Sequence, residues 1–201
     1  VLTKNNDNEG AVYNQVRALT NHDDYEVAML LDGDDWLIND NTIFQQYNRM
    51  YQTEDLEFTY GSCWSLVDNI PLIAQEYPEH IKQTKSYRSH LFNWNMPYTH
   101  FRTFKKKLMD GIEVRMMQDA SHKFLKAGGD GSLFYALLER ADPNKIKAVQ
   151  DVVYVYNDAS PLNDYKVNSE EQTKNAQYVL GQKEMKKILI AVPTAKNVET
   201  Q

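Results

Sequence analysis

The acidic run from Asp32 to Asp35 contains the residues of this sequence best suited to chemistry. It reads Asp-Gly-Asp-Asp and directly follows the apolar stretch from Val27 to Leu31. That stretch predicts a strand buried on both faces of a parallel sheet, and ligands bind open α/β sheets beyond the carboxyl ends of such strands. In extended geometry Asp32 and Asp34 point to the same side. Because two carboxylates there repel each other unless a cation joins them, the run predicts a Mg²⁺ or Mn²⁺ site with positions left for phosphate oxygens.

The alternative for this run is a solvated acidic turn that precedes a helix. The apolar strand before the run and the Trp36-Leu37 pair after it favour the metal or phosphate site. An EF-hand loop fits poorly, because Gly33 comes too early in the run and Trp36 stands at a liganding position. We also expect Gly33 to leave room for a ligand to approach the backbone.

Asp130 is the second candidate carboxylate. It follows Gly128 and Gly129 and opens a segment with the apolar spacing of a helix. Capping of that helix explains an aspartate here on structural grounds alone. The glycines allow close backbone approach, which favours a catalytic role instead.

Cationic and aromatic residues supply further candidates for ligand contacts. His100 and Arg102 precede three consecutive lysines, and fixed cations suit a diphosphate or an acidic acceptor, although a solvated helix face is an equal interpretation for His100 and the better one for the lysines. Lys166, in the polar segment after the last predicted strand, suits a loop that closes over a diphosphate, or a plain polar turn. Trp94 lies in an irregular region and suits stacking on a sugar ring.

Composition sets the frame for these residues. The chain has 201 residues, of which 42% are hydrophobic, and a formal net charge of −6, which indicates one globular domain and argues against broad nucleic-acid binding. Cys63 is the single cysteine, so a disulfide framework and a CxxC metal site are excluded. The sequence shows neither an apolar run of membrane-spanning length nor a signal peptide at its start, and we expect a soluble, cytoplasmic protein.

The elements that must position these residues alternate along the chain, which predicts an α/β fold. The expected helices and strands are Gly10–Thr20 (helix, with Val12, Val16 and Leu19 inward and Asn8 as a cap), Val27–Leu31 (strand), Asn39–Tyr51 (helix), Glu57–Leu66 (strand), Phe101–Met109 (basic helix), a helix from Asp130, Val149–Tyr156 (strand) and a last helix with a Ser169/Gln172 capping box. The stretch from Val67 to Asn95 reads as irregular.

With these patterns in place, the sequence resembles the GT-A family of nucleotide-sugar-dependent glycosyltransferases, in particular its inverting, family 2-like group from bacteria and large DNA viruses. The likeness spans Asn8 to Lys166. It rests on the specific run Leu31-Asp-Gly-Asp-Asp-Trp-Leu37, supported by Asn8, Gly10, Asn14, Ala18, Thr59, Tyr60, Gly61, Gly129, Asp130, Tyr156, Asn157, Pro161, Leu162, Asn163, Asp164 and Lys166.

The resemblance implies a GT-A, Rossmann-like, mixed but mostly parallel sheet flanked by helices, with residues 1–168 as catalytic domain and 169–201 as a C-terminal helix and tail. It implies that Asp34 is the direct ligand of Mn²⁺ or Mg²⁺, that Asp32 lies near the ribose and the water shell of the metal, and that Asp130 is the catalytic base. Asp35 would be a supporting residue or secondary ligand. The donor-binding set is then Asp32, Gly33, Asp34, Asp35, Arg17, His100 and Lys166, with Trp94 binding the acceptor.

The expected activity is transfer of a sugar, with inversion, from a nucleotide-diphosphate sugar, best a UDP-hexose, to a hydroxyl of a glycan, a lipid-linked molecule or a protein. The acidic motif arrives earlier than in the family, so we expect part of the nucleotide-binding half to lie upstream of Val1. A reduced domain whose first strand is Val1 to Thr3 is the alternative. The rival functions are a nucleotidyltransferase and a non-catalytic module that binds sugar nucleotides or carbohydrate.

Overall fold

A computed structural model describes residues 4–21, 26–89 and 100–182. The helices in these residues are α1 (Ala11–Asn21), α2 (Ile43–Thr53), α3 (Glu79–Thr84), α4 (Asp130–Arg140), α5 (Asp164–Val167) and α6 (Ser169–Gly181). The strands are β1 (Val27–Leu30), β2 (Trp36–Leu37), β3 (Phe58–Ser65), β4 (Ile70–Leu72), β5 (Arg102–Lys105) and β6 (Ile146–Tyr156). The predicted α/β class is confirmed.

The strands form one mixed sheet in the order β1-β5-β3-β6-β2, with β4 on β3. Only the β3–β6 pair is parallel among the described strands; the β1–β5, β3–β5, β3–β4 and β2–β6 pairs are antiparallel. The prediction of a mostly parallel sheet is therefore wrong. The physical reason is that β5 lies between β1 and β3 and runs opposite to both. Strands β1, β3 and β6 therefore share one direction, but β1 is not a neighbour of the other two.

Strand β1 is less enclosed than its apolar sequence predicts. Within the described sheet it pairs only with β5, in the register Val27 with Lys105 and Leu30 with Arg102. Ala28 is buried, but the other three residues are only partly buried. The expectation of a parallel strand buried on both faces is wrong, because β1 lies at the end of the described strand order.

The segment from Phe101 to Met109 is not the predicted basic helix. It forms β5 and then a short 3₁₀ turn, and Arg102, Thr103 and Phe104 are 4%, 0% and 0% exposed. Strand β5 lies between β1 and β3 and pairs with both, so its backbone is inside the sheet. The lysines that suggested a solvated helix come after the buried residues of this segment. One of them, Lys107, pairs with Glu57.

Other helices and strands lie close to their predicted bounds. The inward faces of α1 and α2 carry Val12, Val16, Leu19, Ile43, Tyr47 and Tyr51, and β3 and β6 are also present. The expected capping box of α6 is wrong, since Asn168 is its N-cap and no side chain caps it. The stretch from Val67 is more regular than expected, because it contains β4 and α3.

Helices cover both faces of the sheet. On one face α1 and α4 pack over β3 through a core that includes Val16, Phe58, Tyr60 and Leu133. On the other face α2 packs through a core that includes Tyr47, Cys63 and Tyr154. Phe58 and Tyr60 of β3 contribute to the first core and Cys63 to the second, because side chains along a strand point alternately to its two faces.

A buried ion pair ties α6 to this framework. Arg88 pairs with Glu139 of α4, both sides of the pair being enclosed, and its Nη1 donates to the carbonyl of Val179 in α6 at 2.7 Å. Asn175 of α6 donates to the carbonyl of Ala127 at 2.8 Å. These bonds keep α6 against α4 and the loop before it.

Candidate active site

A cavity of about 330 Å³ lies beyond the end of β1. The residues that line it come from the loop after β1, the start of α1, the segment just before β5, the loop before α4 with the first residue of that helix, the end of β6 with the segment after it, and the first turn of α6. They are Ala11, Asp32, Gly33, Asp34, Asp35, His100, Lys126, Gly128, Gly129, Asp130, Tyr156, Leu162, Asn163, Asp164 and Gln172. The cavity therefore joins the two candidate acidic motifs, which are far apart in sequence.

The acidic run forms a tight turn rather than an extended segment. The amide of Asp35 donates to the carbonyl of Asp32 at 3.2 Å. The turn brings Asp32 and Asp35 together with His100, so that one ligand atom of each lies within 4.8 Å of the others. The expected extended conformation of this run is wrong. The turn brings together the residues at its two ends, Asp32 and Asp35. Asp34 is exposed and lines the cavity, and its role as direct ligand stays a prediction.

The end of β6 holds this turn in place. The amide of Asn157 donates to Oδ1 of Asp35 at 2.7 Å, and its side-chain Nδ2 donates to the carbonyl of Asp34 at 3.1 Å. The hydroxyl of Tyr154 donates to Oδ2 of Asp35 and accepts from the amide of Asp32, the latter at 3.3 Å. The acidic turn is thus fixed by side-chain and backbone bonds from one strand.

His100 is held between two tyrosines of β6. Its ring stacks on Tyr154 at 4.8 Å and on Tyr156 at 5.1 Å between ring centroids. Burial, helped by the positive charge of Arg102, lowers the pKa of His100 to about 3. The imidazole is therefore neutral at physiological pH and keeps a nitrogen lone pair for a metal ion.

The two carboxylates of this group are partly desolvated. Burial raises the pKa of Asp32, and the negative charges of Asp130 and Asp34 add to the effect while Arg102 opposes it. Burial also raises the pKa of Asp35, against the hydrogen bonds from Tyr154 and Asn157. Crowded carboxylates of this kind are stabilised by a cation, and two carboxylates with one neutral imidazole are a suitable donor set for Mn²⁺ and related ions.

Asp130 faces the same cavity from the first residue of α4. Gly129, not Asp130, is the N-cap of this helix, and no side chain caps it. The alternative interpretation of Asp130, as a helix cap, is therefore wrong, and its catalytic role stays a prediction. Its Oδ2 accepts instead from Nη2 of Arg102 at 3.3 Å, and its side chain is 46% exposed. A carboxylate that is fixed on one side and open on the other can meet a ligand in the cavity.

Two of the predicted donor-binding cations do not line the cavity. Arg17 donates to Asn5 at 2.8 Å, and Lys166 donates to the carbonyls of Asp158 and Ser160 at 2.6 and 3.1 Å. Lys166 thereby braces the segment that presents Asn163 and Asp164 to the cavity. Trp94 lies outside the described residues.

Lys126 and Tyr154 are among the residues of the candidate site that the sequence motifs did not single out. Lys126 lines the cavity; its position just before two glycines and a helix was the available signal. Tyr154 was assigned only to a strand, and no local pattern marks its contacts, because they depend on how β6 packs against the acidic turn.

Two glycines give the site its shape. A side chain at Gly33 would meet nothing within 4 Å, so the room expected there for a ligand is present. At Gly61 on β3 an added Cβ would lie 2.8 Å from the amide nitrogen of Phe101 and 3.1 Å from the carbonyl oxygen of His100. The absence of a side chain at Gly61 therefore lets His100 reach its place.

The sequence matches no protein-family model, and a search of curated proteins finds no significant match. The described helices are all too short or too polar to cross a lipid bilayer.

Proposed function

We propose that this protein is a metal-dependent glycosyltransferase that uses a nucleotide-diphosphate sugar, with a UDP-hexose as the best candidate. The observation that carries the proposal is the meeting of the Asp32, Asp35 and His100 group with Asp130 in one cavity. Together these residues would supply the cation site and the single carboxylate that metal-dependent, inverting sugar transfer uses. The resemblance of the sequence to GT-A enzymes supplies the substrate class.

The metal-binding residues would be Asp32, Asp35 and His100, with Asp34 as the further ligand that the resemblance implies. A bound Mn²⁺ or Mg²⁺ supplies charge stabilisation for the departing diphosphate. Lys126 adds a positive charge on the cavity wall, and the first residue of α1 borders the same space, where helix amides favour an anion.

The chemical step is a single displacement. The acceptor oxygen forms a bond to the anomeric carbon while the bond from that carbon to the diphosphate oxygen breaks. The electron pair of the breaking bond stays on the diphosphate, and the proton of the acceptor hydroxyl passes to the carboxylate of Asp130. Arg102 keeps that carboxylate in position through its 3.3 Å contact. Attack from the face opposite the diphosphate inverts the anomeric configuration.

The decisive experiment separates binding from transfer. Thermal unfolding is followed with a panel of UDP- and GDP-sugars, with and without Mn²⁺, because a bound donor stabilises the fold by mass action. We expect stabilisation by one donor only when Mn²⁺ is present, and release of the nucleoside diphosphate when an acceptor hydroxyl is supplied. Equal donor affinity with and without Mn²⁺ would contradict the metal-dependent part of the proposal.

Three variants assign the roles. Asp34→Ala and Asp32→Asn are expected to abolish the Mn²⁺-dependent donor binding, whereas Asp130→Asn is expected to bind donor normally and lose transfer by at least about a hundredfold. Asp151→Asn, an exposed aspartate of β6 outside the cavity, is the matched control and should behave as wild type. Normal transfer by Asp130→Asn would show that another group takes the proton. Pyrophosphate release from a nucleoside triphosphate and a sugar phosphate would favour a nucleotidyltransferase.

A further inference from the structure

Tyr154 contacts every member of the candidate metal group. Its hydroxyl donates to the carboxylate of Asp35 and accepts from the amide of Asp32, while its ring stacks on the imidazole of His100. The side chain is fully enclosed, at 0% exposure. The residue therefore sits behind the group, on the side away from the cavity, which its side chain does not line.

Packing alone does not explain the hydroxyl. Tyr154 belongs to the apolar core beneath α2, together with Phe101 and Val153, where a phenylalanine ring would fill the same space. A buried hydroxyl costs free energy unless it finds partners. Both hydrogen-bond partners of the Tyr154 hydroxyl belong to the acidic turn, so this hydroxyl stabilises the turn rather than the core.

The position of Tyr154 in the sheet is fixed independently of the site. It pairs with Leu37 of β2 and with Cys63 of β3, so β6 is held on both sides at this point. A rigid strand in this position can set the orientation of groups that lie on a loop.

We propose that Tyr154 is a positioning residue of the metal site: it orients the carboxylate of Asp35, fixes the backbone at Asp32 and sets the plane of the His100 ring. The inference rests on the proposed function, since it requires that the group binds a divalent cation. Loss of an outer partner of this type typically lowers metal affinity by about 10- to 100-fold.

The test measures Mn²⁺ affinity by calorimetry and the visible absorption of bound Co²⁺ in wild type, Tyr154→Phe and a matched control. Tyr51→Phe is the control, because Tyr51 is also a buried tyrosine whose hydroxyl bonds a side chain, that of Thr103 at 2.9 Å, away from the cavity. We expect Tyr154→Phe to bind Mn²⁺ about 10- to 100-fold more weakly and to change the Co²⁺ spectrum, and Tyr51→Phe to do neither. Phenylalanine keeps the ring, and circular dichroism verifies that both variants fold.

A double-variant cycle with Asp35→Asn separates positioning from a general loss of structure. If Tyr154 acts through Asp35, Tyr154→Phe should weaken Mn²⁺ binding clearly less in the Asp35→Asn background than in wild type. Wild-type affinity in Tyr154→Phe would overturn the positioning role while leaving the proposed function intact. An equal loss in both backgrounds would overturn the part of that role that acts through Asp35. Failure of the wild-type protein to bind Mn²⁺ or Co²⁺ would instead overturn the metal site itself, and with it both proposals.

Discussion

At the scale of single residues, Arg102 is a buried charge whose position apolar packing does not explain. It is 4% exposed, and a buried guanidinium is costly unless opposite charges surround it. Asp130 contacts it directly, and its charge also acts on the pKa values of Asp32 and His100. The positive charge of Arg102 therefore offsets the negative charges of Asp130 and Asp32.

Replacing Arg102 by glutamine should separate the proposed metal binding from the proposed sugar transfer. Without the cation, Asp130 loses its fixed position, so we expect transfer to fall by about 10- to 100-fold. Affinity for Mn²⁺ at neutral pH should stay equal or rise, because a positive charge that repels the metal has gone. Calorimetry and a transfer assay measure the two effects on the same preparation.

The control for Arg102→Gln is Lys105→Gln, which removes the same charge from the same strand. Lys105 pairs with the exposed Asp55 at 3.5 Å, away from the cavity, and its loss should leave both measurements unchanged. A parallel fall of metal affinity and transfer in Arg102→Gln would argue against a specific role for Arg102 in holding Asp130.

At the scale of elements, the site depends on how closely β3 approaches the start of β5. Gly61 faces the backbone of His100 and Phe101, and the β3–β6 pairing is irregular on either side of Ser62, the next residue. Strand β3 thus has to leave space at one position while it pairs along most of its length.

Gly61→Ala should move His100 and thereby weaken the proposed metal site. A methyl group 2.8 Å from a backbone nitrogen forces the two strands apart, at a cost of about 1–3 kcal/mol of unfolding free energy. Urea unfolding and Mn²⁺ titration test this prediction. Gly181→Ala at the end of α6, where a Cβ would meet nothing within 4 Å, should leave the Mn²⁺ affinity unchanged and should not lower the free energy of unfolding, because alanine is favoured over glycine in a helix. Normal Mn²⁺ affinity in Gly61→Ala would show that the close approach is unimportant for His100.

Elements with a one-sided pattern were predictable from the sequence. Val12, Val16 and Leu19 recur at helical spacing, and they form the buried face of α1. Strand β5 was not predictable in the same way, because Arg102 is charged and yet buried. The carboxylate that compensates the charge of Arg102 belongs to Asp130 on α4. A pattern of neighbouring residues cannot reveal a partner so distant in sequence.

The candidate site was predictable in its residue types but not in how they are grouped. The run from Asp32 to Asp35 and Asp130 do share a cavity, as ligand binding beyond the end of a strand suggests. The turn that pairs Asp32 with Asp35 depends on bonds from Tyr154 and Asn157, and these residues reach the turn only through the packing of β6.

At the scale of the whole molecule, Glu57 joins three distant segments. Its Oε1 accepts from Lys107 at 2.6 Å, just after β5, and its Oε2 accepts from the amide of Asp142 at 2.9 Å, just after α4. Burial alone would raise the pKa of Glu57, but these hydrogen bonds, with the charges of Lys107 and Lys145, outweigh it, so that the pKa lies below its usual value.

This lowered pKa predicts a specific loss of stability in acid. A carboxylate whose pKa is lower in the folded state contributes stability above its unfolded pKa, and the contribution is lost as the pH falls through the folded pKa. Glu57→Gln should therefore cost about 1–2 kcal/mol at pH 7, with the difference from wild type disappearing below about pH 4. Urea unfolding at a series of pH values measures it.

The comparison variant is Glu54→Gln, whose carboxylate is 42% exposed and pairs with Lys147. A solvated pair of this kind contributes little, so this variant should follow the wild-type curve. A Glu57→Gln deficit that stays constant from pH 7 to pH 3 would mean that the ionised state of Glu57 is not what stabilises the fold.

The way in which α6 is attached has a consequence for the integrity of the chain. The hydrogen bonds from Arg88 to Val179 and from Asn175 to Ala127 attach this helix to the rest of the fold independently of the chain segment that connects β6 to α6. Pro161 and Leu162 in that segment are exposed, Leu162 at 79%. A protein nicked there should remain a two-fragment complex, with the first-turn residue Gln172 still forming part of the cavity wall.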